Sequence, residues 1–152
     1  MDSLPPATVD LADVASFDFV QTENLRFADL DAHGHVNNVA FLVFFENVRV
    51  RFVLDRLRAV PALAGLEVVA ARLEIDYRRQ MFYPGSVRAG ARLIEIRRSA
   101  VVIGQAIFDQ GGACAATGKV VLVSIDRASG KSRPIPDAAR AALESLMPGA
   151  TA

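Results

Sequence analysis

The sequence has 152 residues, with 17 basic side chains, 17 acidic side chains and one cysteine. Its length fits one domain, and its neutral balance argues against a protein that binds nucleic acid through its overall charge. Cys114 has no cysteine partner for an internal disulfide, which agrees with a reducing cytoplasm. The first residues lack a secretory signal, and no run approaches the roughly 20 apolar residues that span a bilayer. These features predict a cytoplasmic protein without membrane or nucleic-acid partners.

The first half of the chain predicts a strand followed by one long helix. Residues 1–15 show no hydrophobic period and are predicted to form a flexible lead-in, with 148–152 as a flexible tail and one domain over 16–147. The strand is predicted over 17–28, where apolar residues recur on odd positions. The helix is predicted over 39–58, because spacings of three and four place apolar side chains on one face, namely Phe41, Phe44, Phe45, Val48 and Phe52.

The second half predicts strands and a short final helix. A period of two begins after Leu66, where Leu73, Ile75 and Tyr77 alternate with charged residues. The remaining patterns predict three further strands and a terminal helix, over 87–97, 100–108, 113–125 and 137–146.

Short turns between the later strands indicate an antiparallel sheet. Pro84-Gly85 and Gly111-Gly112 both lie between predicted strands, and glycine accepts the positive φ that tight hairpins need. The long helix has a phenylalanine-rich face that must be covered. The sequence therefore predicts an α+β fold, in which an antiparallel sheet of about five strands wraps around one long helix.

The polar loop before the long helix carries the densest set of chemical groups. Residues 29–38 hold two carboxylates, two imidazoles and two amides around Gly34. Free backbone N–H groups and the positive end of the dipole at a helix start stabilise negative charge, including an oxyanion that forms on a carbonyl. A carboxylate one loop away can attack that carbonyl or activate water.

The motif in this loop resembles that of a known enzyme family. It reads Asp31-x-x-Gly34-His35-Val36-Asn37-Asn38, and the helix adds Phe41 and Glu46-x-x-Arg49. This pattern is similar to that of the 4-hydroxybenzoyl-CoA thioesterase type of hotdog protein, and the loop is also similar to the motif of plant acyl-carrier-protein thioesterases. The resemblance covers roughly residues 17–126. It implies a single hotdog domain that hydrolyses acyl thioesters.

The resemblance implies roles for residues of the loop and the helix start. Asp31 takes the position of the family's catalytic carboxylate, as nucleophile or general base. The backbone N–H of Asn38 matches the amide that polarises the carbonyl, and His35 matches an assisting histidine of the plant enzymes. His33 is a departure, since those enzymes have asparagine there. The residues expected to contact substrate are Gly34, Val36, Asn37 and Phe41 of the motif, together with Phe45 of the phenylalanine-rich helix face and Ser99 at the turn between two predicted strands.

The resemblance also implies the partners of the chain. The substrate is an acyl-CoA or an acyl group on a carrier protein, and no separate cofactor is expected because coenzyme A is part of the substrate. The assembly is a homodimer with two sheets joined edge to edge and each active site at the interface, or a tetramer of such dimers. No metal is expected, because close residues of one loop rarely give metal geometry and both histidines lie in that loop.

Other interpretations of the same residues stay open. Asp29 fits a local loop hydrogen bond, and Glu46 fits an ion pair with Arg49 on the helix or across an interface, although another hotdog branch uses a helix carboxylate for catalysis. Asp31 with His35 offers the kind of pair that hotdog hydratases use. An enoyl- or hydroxyacyl-thioester hydratase-dehydratase is therefore one alternative function, and a non-catalytic acyl-thioester binding module is another.

Overall fold

Five antiparallel strands wrap around a long helix in the computed structural model, which describes residues 9–149. The α+β hotdog fold expected from the sequence is confirmed. Each predicted strand and helix has a counterpart, and in chain order the elements are β1 (Phe19–Asn24), α1 (Asn38–Phe52), β2 (Val68–Tyr77), β3 (Ser86–Ile96), β4 (Ala100–Phe108), β5 (Cys114–Ser124) and α2 (Asp137–Leu146).

Two elements are shorter than the sequence predicted. The strand predicted over 17–28 is paired only over Phe19–Asn24, and a 3₁₀ turn at Phe27–Asp29 follows it. The helix predicted to reach residue 58 leaves regular α geometry after Phe52 and continues as a π-helical turn at Val53–Leu57.

The order of the strands in the sheet is β1-β3-β4-β5-β2. The interpretation of Pro84-Gly85 as a hairpin turn is wrong, because β2 pairs with β5 whereas β3 pairs with β1 and β4. Residues 78–85 form a crossover between β2 and β3. The glycine turn between β4 and β5 does form a hairpin, with a φ of 90° at Gly112.

The inner face of α1 packs on the sheet. The five apolar residues predicted to share one helix face are all buried. Phe45 is fully buried against Gly118, where an added Cβ would lie 3.2 Å from the Phe45 ring. Gln105 of β4 donates a hydrogen bond from Nε2 to the Phe45 carbonyl at 2.6 Å. These contacts fix the position of α1 on the sheet and therefore the position of its first turn.

The opposite face of α1 and the neighbouring strand β2 are exposed. All residues of β2 other than Val68 and Ile75 are exposed, and within residues 9–149 its outer edge pairs with no strand. A surface helix ordinarily presents polar and charged residues on the face opposite the core. The exposed face of α1 and its π-helical extension nevertheless carries large apolar side chains, namely Val39, Leu42, Val43, Val50 and Leu54.

The ends of the predicted domain fall partly outside the described residues. Residues 1–8 of the predicted lead-in and 150–152 of the predicted tail lie there. The part of the lead-in that is described forms turns, and its Leu11 and Val14 pack against a small cluster around Phe17. Between residues 9 and 149, no helix has the length and apolar character needed to cross a bilayer.

Candidate active site

Asp29 anchors the polar loop to the end of β1. Its side chain is buried and accepts hydrogen bonds from the backbone N–H and from the Nη2 of Arg26, both at 2.7 Å. Its carbonyl accepts from the N–H of Asn37 at 2.8 Å. Burial works to raise the pKa of Asp29, but the hydrogen bonds from Arg26 outweigh it and hold the pKa below its ordinary value. This geometry agrees with a local hydrogen-bonding role.

Residues 31–35 form a tight turn around the carboxylate of Asp31. Its Oδ1 accepts hydrogen bonds from the backbone N–H groups of His33 at 2.8 Å and His35 at 3.2 Å. Gly34 has a φ of 78°, in the left-handed region that favours glycine. Burial works to raise the pKa of Asp31, but the two backbone hydrogen bonds and the nearby imidazoles hold it below its ordinary value. Asp31 is therefore ionised at neutral pH.

The first turn of α1 presents a free amide. Asn37 caps the helix, because its Oδ1 accepts from the N–H of Val39 at 2.9 Å and its carbonyl accepts from the N–H of Ala40 at 2.9 Å. Among the described residues, no acceptor engages the N–H of Asn38. The hydroxyl of Tyr77 donates to the Asn38 carbonyl at 3.0 Å and ties the helix start to the end of β2. A free amide at the positive end of the dipole can stabilise an oxyanion.

An open cleft of about 440 Å³ joins the carboxylate to this helix start. Its apolar part includes Phe41, whose ring lies edge-on to the Tyr77 ring with centroids 5.3 Å apart. The loop, the first helical turns and the segment after β2 all contribute to the lining, through Asp31, His35, Val36, Asn38, Phe41, Tyr77, Arg78, Arg79 and Gln80. The fold thus brings Asp31, His35 and Asn38 together, as the motif predicted, along with Val36 and Phe41.

The segment Tyr77–Gln80 was not among the predicted site residues. It begins with the last residue of β2, and just beyond it the carbonyl of Met81 accepts from the N–H of Val36 at 2.9 Å. This bond holds the crossover alongside the loop. The only signal in the sequence was a pair of arginines after an alternating strand, and such a pattern does not reveal which loop lies beside the strand end.

The two histidines occupy different environments. The ring of His35 lines the cleft and packs edge-on against Phe82, with centroids 5.4 Å apart. The side chain of His33 is exposed, and its ring lies 6.2 Å from that of His35. The Asp31 carboxylate accepts the backbone N–H of His35, and no hydrogen bond to the His35 ring forms in the described part of the chain. The side-chain pair on which the hydratase alternative depends is not formed in this arrangement.

Four of the predicted substrate-contact residues do not line the cleft. Gly34 and Asn37 shape the turn and cap the helix. Phe45 is fully buried in the core, so its ring is a packing element. Ser99 precedes β4, where its carbonyl accepts from the N–H of Ser124 at 2.8 Å. Arg79 of the cleft pairs at 3.5 Å with Asp109, which directly follows the last residue of β4. Ser99 directly precedes the first residue of the same strand. The length of β4, about 30 Å for its nine residues, therefore separates Ser99 from the cleft.

The described residues contain neither a metal-binding cluster nor a thiol with a lowered pKa. Within residues 9–149, no group of three or more histidine, cysteine, aspartate or glutamate side chains is arranged to hold a metal ion. Burial raises the pKa of the Cys114 thiol, which works against a thiolate nucleophile.

We expect Asp29→Asn to lower the free energy of unfolding at pH 7 by about 1–3 kcal/mol, because a buried carboxylate loses charge-assisted hydrogen bonds. The folded pKa of Asp29 is depressed, so its stabilisation is complete above the unfolded carboxyl pKa of roughly 3.9 and is lost as the pH falls through the lower folded value. Urea unfolding of both proteins at decreasing pH measures this. The two stabilities should converge in acid, and a gap that stays constant with pH would contradict the assigned role.

The fold and the cleft define the class of the protein, which is a hotdog-fold protein of the thioesterase type. The family model of the Thioesterase-like superfamily matches residues 25–143, and the chain belongs to this superfamily. The finer assignment to the 4-hydroxybenzoyl-CoA type stays a prediction.

Known proteins similar to this chain agree with the family. A thioesterase from Thermus thermophilus, described as complexed with coenzyme A and Zn, is 33% identical with a TM-score of 0.71, over 84% of this chain and 98% of that one. A predicted thioesterase from Bacillus stearothermophilus is 29% identical with a TM-score of 0.72, over 85% and 96% of the two chains. The uncharacterized protein YsmA of Bacillus subtilis is 28% identical over 117 residues, which are 77% of this chain and 79% of that protein. Together with the family, the thioesterase neighbours support thioester hydrolysis as the general activity.

Proposed function

We propose that this protein hydrolyses acyl-CoA thioesters to a carboxylic acid and free coenzyme A. The observation that carries the proposal is a single cleft in which the ionised carboxylate of Asp31 and the free N–H of Asn38 are both present. Val36 and Phe41 give this cleft an apolar wall for an acyl group. The wall can hold the acyl group while the carboxylate and the amide act on its thioester carbonyl.

In the proposed reaction the thioester carbonyl oxygen lies against the N–H of Asn38, which stabilises the oxyanion together with the helix dipole. Asp31 is either a general base that takes a proton from water, or a nucleophile that forms an anhydride which water then cleaves. In both routes the C–S bond breaks and the departing thiolate takes up a proton. Water supplies the hydroxyl group of the acid.

Coenzyme A is the thiol component that the proposal favours. The description of the Thermus thermophilus relative names coenzyme A as its ligand. Arg78 places positive charge at the cleft, next to Arg79 and its ion pair with Asp109, and positive charge suits phosphate groups. An acyl carrier protein presents the same thioester and remains the second substrate class of the proposal. We further propose the 4-hydroxybenzoyl-CoA type as the finer assignment, on the strength of the loop motif.

Other parts of the proposal concern the loop, the location and the assembly. We assign an assisting role to His35, because its ring lines the cleft and is not bonded to Asp31, and supporting roles to Gly34 and Asn37. The expected location is the cytoplasm. We also propose a homodimer joined through β2, since the edge of that strand is unpaired within residues 9–149 and the neighbouring face of α1 is apolar and exposed. Two such dimers can associate into a tetramer.

Thiol release from a panel of acyl-CoA and acyl-carrier-protein substrates tests the activity. The expected result is stoichiometric thiol and acid from at least one acyl-CoA. Thiol release from carrier-protein substrates alone would identify the carrier protein, instead of coenzyme A, as the thiol component of the substrate. Loss of enoyl absorbance without thiol release would instead establish a hydratase, and tight binding of acyl-CoA without turnover would establish a binding module.

A further inference from the structure

One short stretch of backbone at the end of β2 holds both sides of the Asp31 cleft. At its far end the carbonyl of Met81 accepts from the N–H of Val36, which belongs to the same loop as Asp31. At its near end the hydroxyl of Tyr77 donates to the carbonyl of Asn38 at 3.0 Å and holds the start of α1. The carboxylate and the free amide of the cleft are therefore positioned from the same stretch of chain.

This stretch is itself fixed to the sheet. Tyr77 pairs with Ala116 of β5. The carbonyl of Ala115, a fully buried residue, accepts from the N–H groups of Arg78 at 2.8 Å and Arg79 at 3.1 Å. The side chain of Tyr77 therefore extends to the helix start from a backbone that the core holds in place.

The start of α1 depends on contacts from outside the helix. The first amides of a helix have no partner within it, and helix ends fray. Within residues 9–149, Tyr77 provides the only side-chain hydrogen bond that joins the first turn of α1 to a strand. The N–H and the carbonyl of Asn38 lie on the two rigid peptide units that meet at its Cα. A bond that fixes the second unit to β2 therefore restricts the direction of the free N–H on the first.

The ring and the hydroxyl of Tyr77 have separate contacts. The ring lines the cleft and lies edge-on to Phe41, whereas the hydroxyl contacts the backbone of α1. Tyr77 is 49% exposed, so water can satisfy the Asn38 carbonyl when the hydroxyl is removed, and the loss of stability is small. A water molecule on that carbonyl would not hold the helix start against β2.

We propose that the hydroxyl of Tyr77 is a positioning group that orients the N–H of Asn38 towards the thioester carbonyl. This inference rests on the proposed hydrolase activity and gives Tyr77 no bond to the reacting atoms. A donor to an oxyanion is effective because its direction is fixed before charge develops on the oxygen. The hydroxyl should therefore affect kcat, whereas the ring contributes to the wall that holds the acyl group.

Tyr77→Phe removes the hydroxyl and keeps the ring. It should lower kcat for thiol release by about tenfold, less than the loss of an oxyanion donor itself, because the amide is still present. KM, the ranking of acyl groups and the urea midpoint should stay close to their wild-type values. Tyr83→Phe is the matched control, since Tyr83 is the second of the two tyrosines, is 45% exposed and does not line the cleft. It should leave kcat unchanged.

Backbone nitrogen relaxation measured by NMR gives a readout that does not depend on activity. The order parameter of the Asn38 amide should fall in Tyr77→Phe and keep its wild-type value in Tyr83→Phe, with the amide of Val48 in the middle of α1 as the internal reference. Loss of order at Asn38 in a protein that hydrolyses no thioester would remove the proposed function but keep the contact that holds the helix start. Unchanged order without hydrolysis would remove both.

Two results would overturn the positioning role and keep the hydrolase. One is a wild-type kcat in Tyr77→Phe, whatever the order parameter of Asn38. The other is a lower kcat with unchanged order at Asn38, because the hydroxyl would then act directly on the substrate.

Discussion

Asp31→Asn will lower kcat for thioester hydrolysis by about 10²–10⁴-fold, the size expected when a general base is removed. The asparagine keeps an oxygen that can accept from the N–H groups of His33 and His35, as Oδ1 of Asp31 does now. The turn should therefore survive, and KM should change little, because the acyl and thiol contacts are untouched. The loss should appear in kcat and kcat/KM together.

Steady-state thiol release with the best acyl-CoA measures this loss. Glu144→Gln provides a matched control, because it neutralises an exposed carboxylate on α2. Glu144→Gln should change the free energy of unfolding by no more than about 0.5 kcal/mol. Asp31→Asn should lower it by about 0.5–1.5 kcal/mol, because its two backbone hydrogen bonds lose their charged acceptor, and should remain folded. Wild-type turnover by a folded Asp31→Asn protein would exclude the carboxylate from the mechanism.

The pH profile gives Asp31 a second signature. Hydrogen bonds from the loop hold the pKa of Asp31 below its ordinary value despite burial, so the active carboxylate form persists as the pH falls towards roughly 3.9 and is lost only below it. The value of kcat/KM should consequently show no acidic limb from Asp31 between about pH 5 and 8. A carboxyl limb with a midpoint above about pH 5 would mean that the substrate-free cleft has a different electrostatic environment.

Local patterns predicted the elements of the fold but not their neighbours. The spacing of apolar residues in α1 and the alternation in β2 arise within each element, so Phe41, Val48 and Leu73 indicate their structure without reference to the rest of the chain. The order of strands depends on contacts between distant segments. Pro84-Gly85 has the composition of a hairpin turn, yet β2 pairs with β5, from which two other strands separate it along the chain.

The same distinction applies to the site. Asp31, His35 and Asn38 are close in sequence, so their proximity in the cleft follows from one short turn and a capped helix. Tyr77 reaches the helix start only through the packing of β2 beside α1, and no local pattern encodes that contact. Ser99 shows the converse, because its place between two strands made it a candidate while the length of β4 keeps it away from the cleft.

Phe45→Ala will lower the free energy of unfolding by about 3–5 kcal/mol, the range for truncating a fully buried phenylalanine. The ring packs on Gly118, which has no side chain to move into the space. Urea unfolding should be compared at one protein concentration, because the stability of a dimer depends on concentration. Val20→Ala, at an exposed valine, is the control and should change stability by no more than about 0.5 kcal/mol.

The same variant separates a core residue from a substrate-binding residue. Phe41 lines the cleft, so Phe41→Leu should alter KM and the preference among acyl groups more than it alters stability. Phe45 lies one helical turn further along α1 and faces the sheet, where its ring supports the helix that carries the free amide of Asn38. Phe45→Ala should therefore reduce stability without changing the ranking of substrates. A changed ranking with unchanged stability would return Phe45 to the acyl pocket, where the phenylalanine-rich face of the helix first placed it as a candidate.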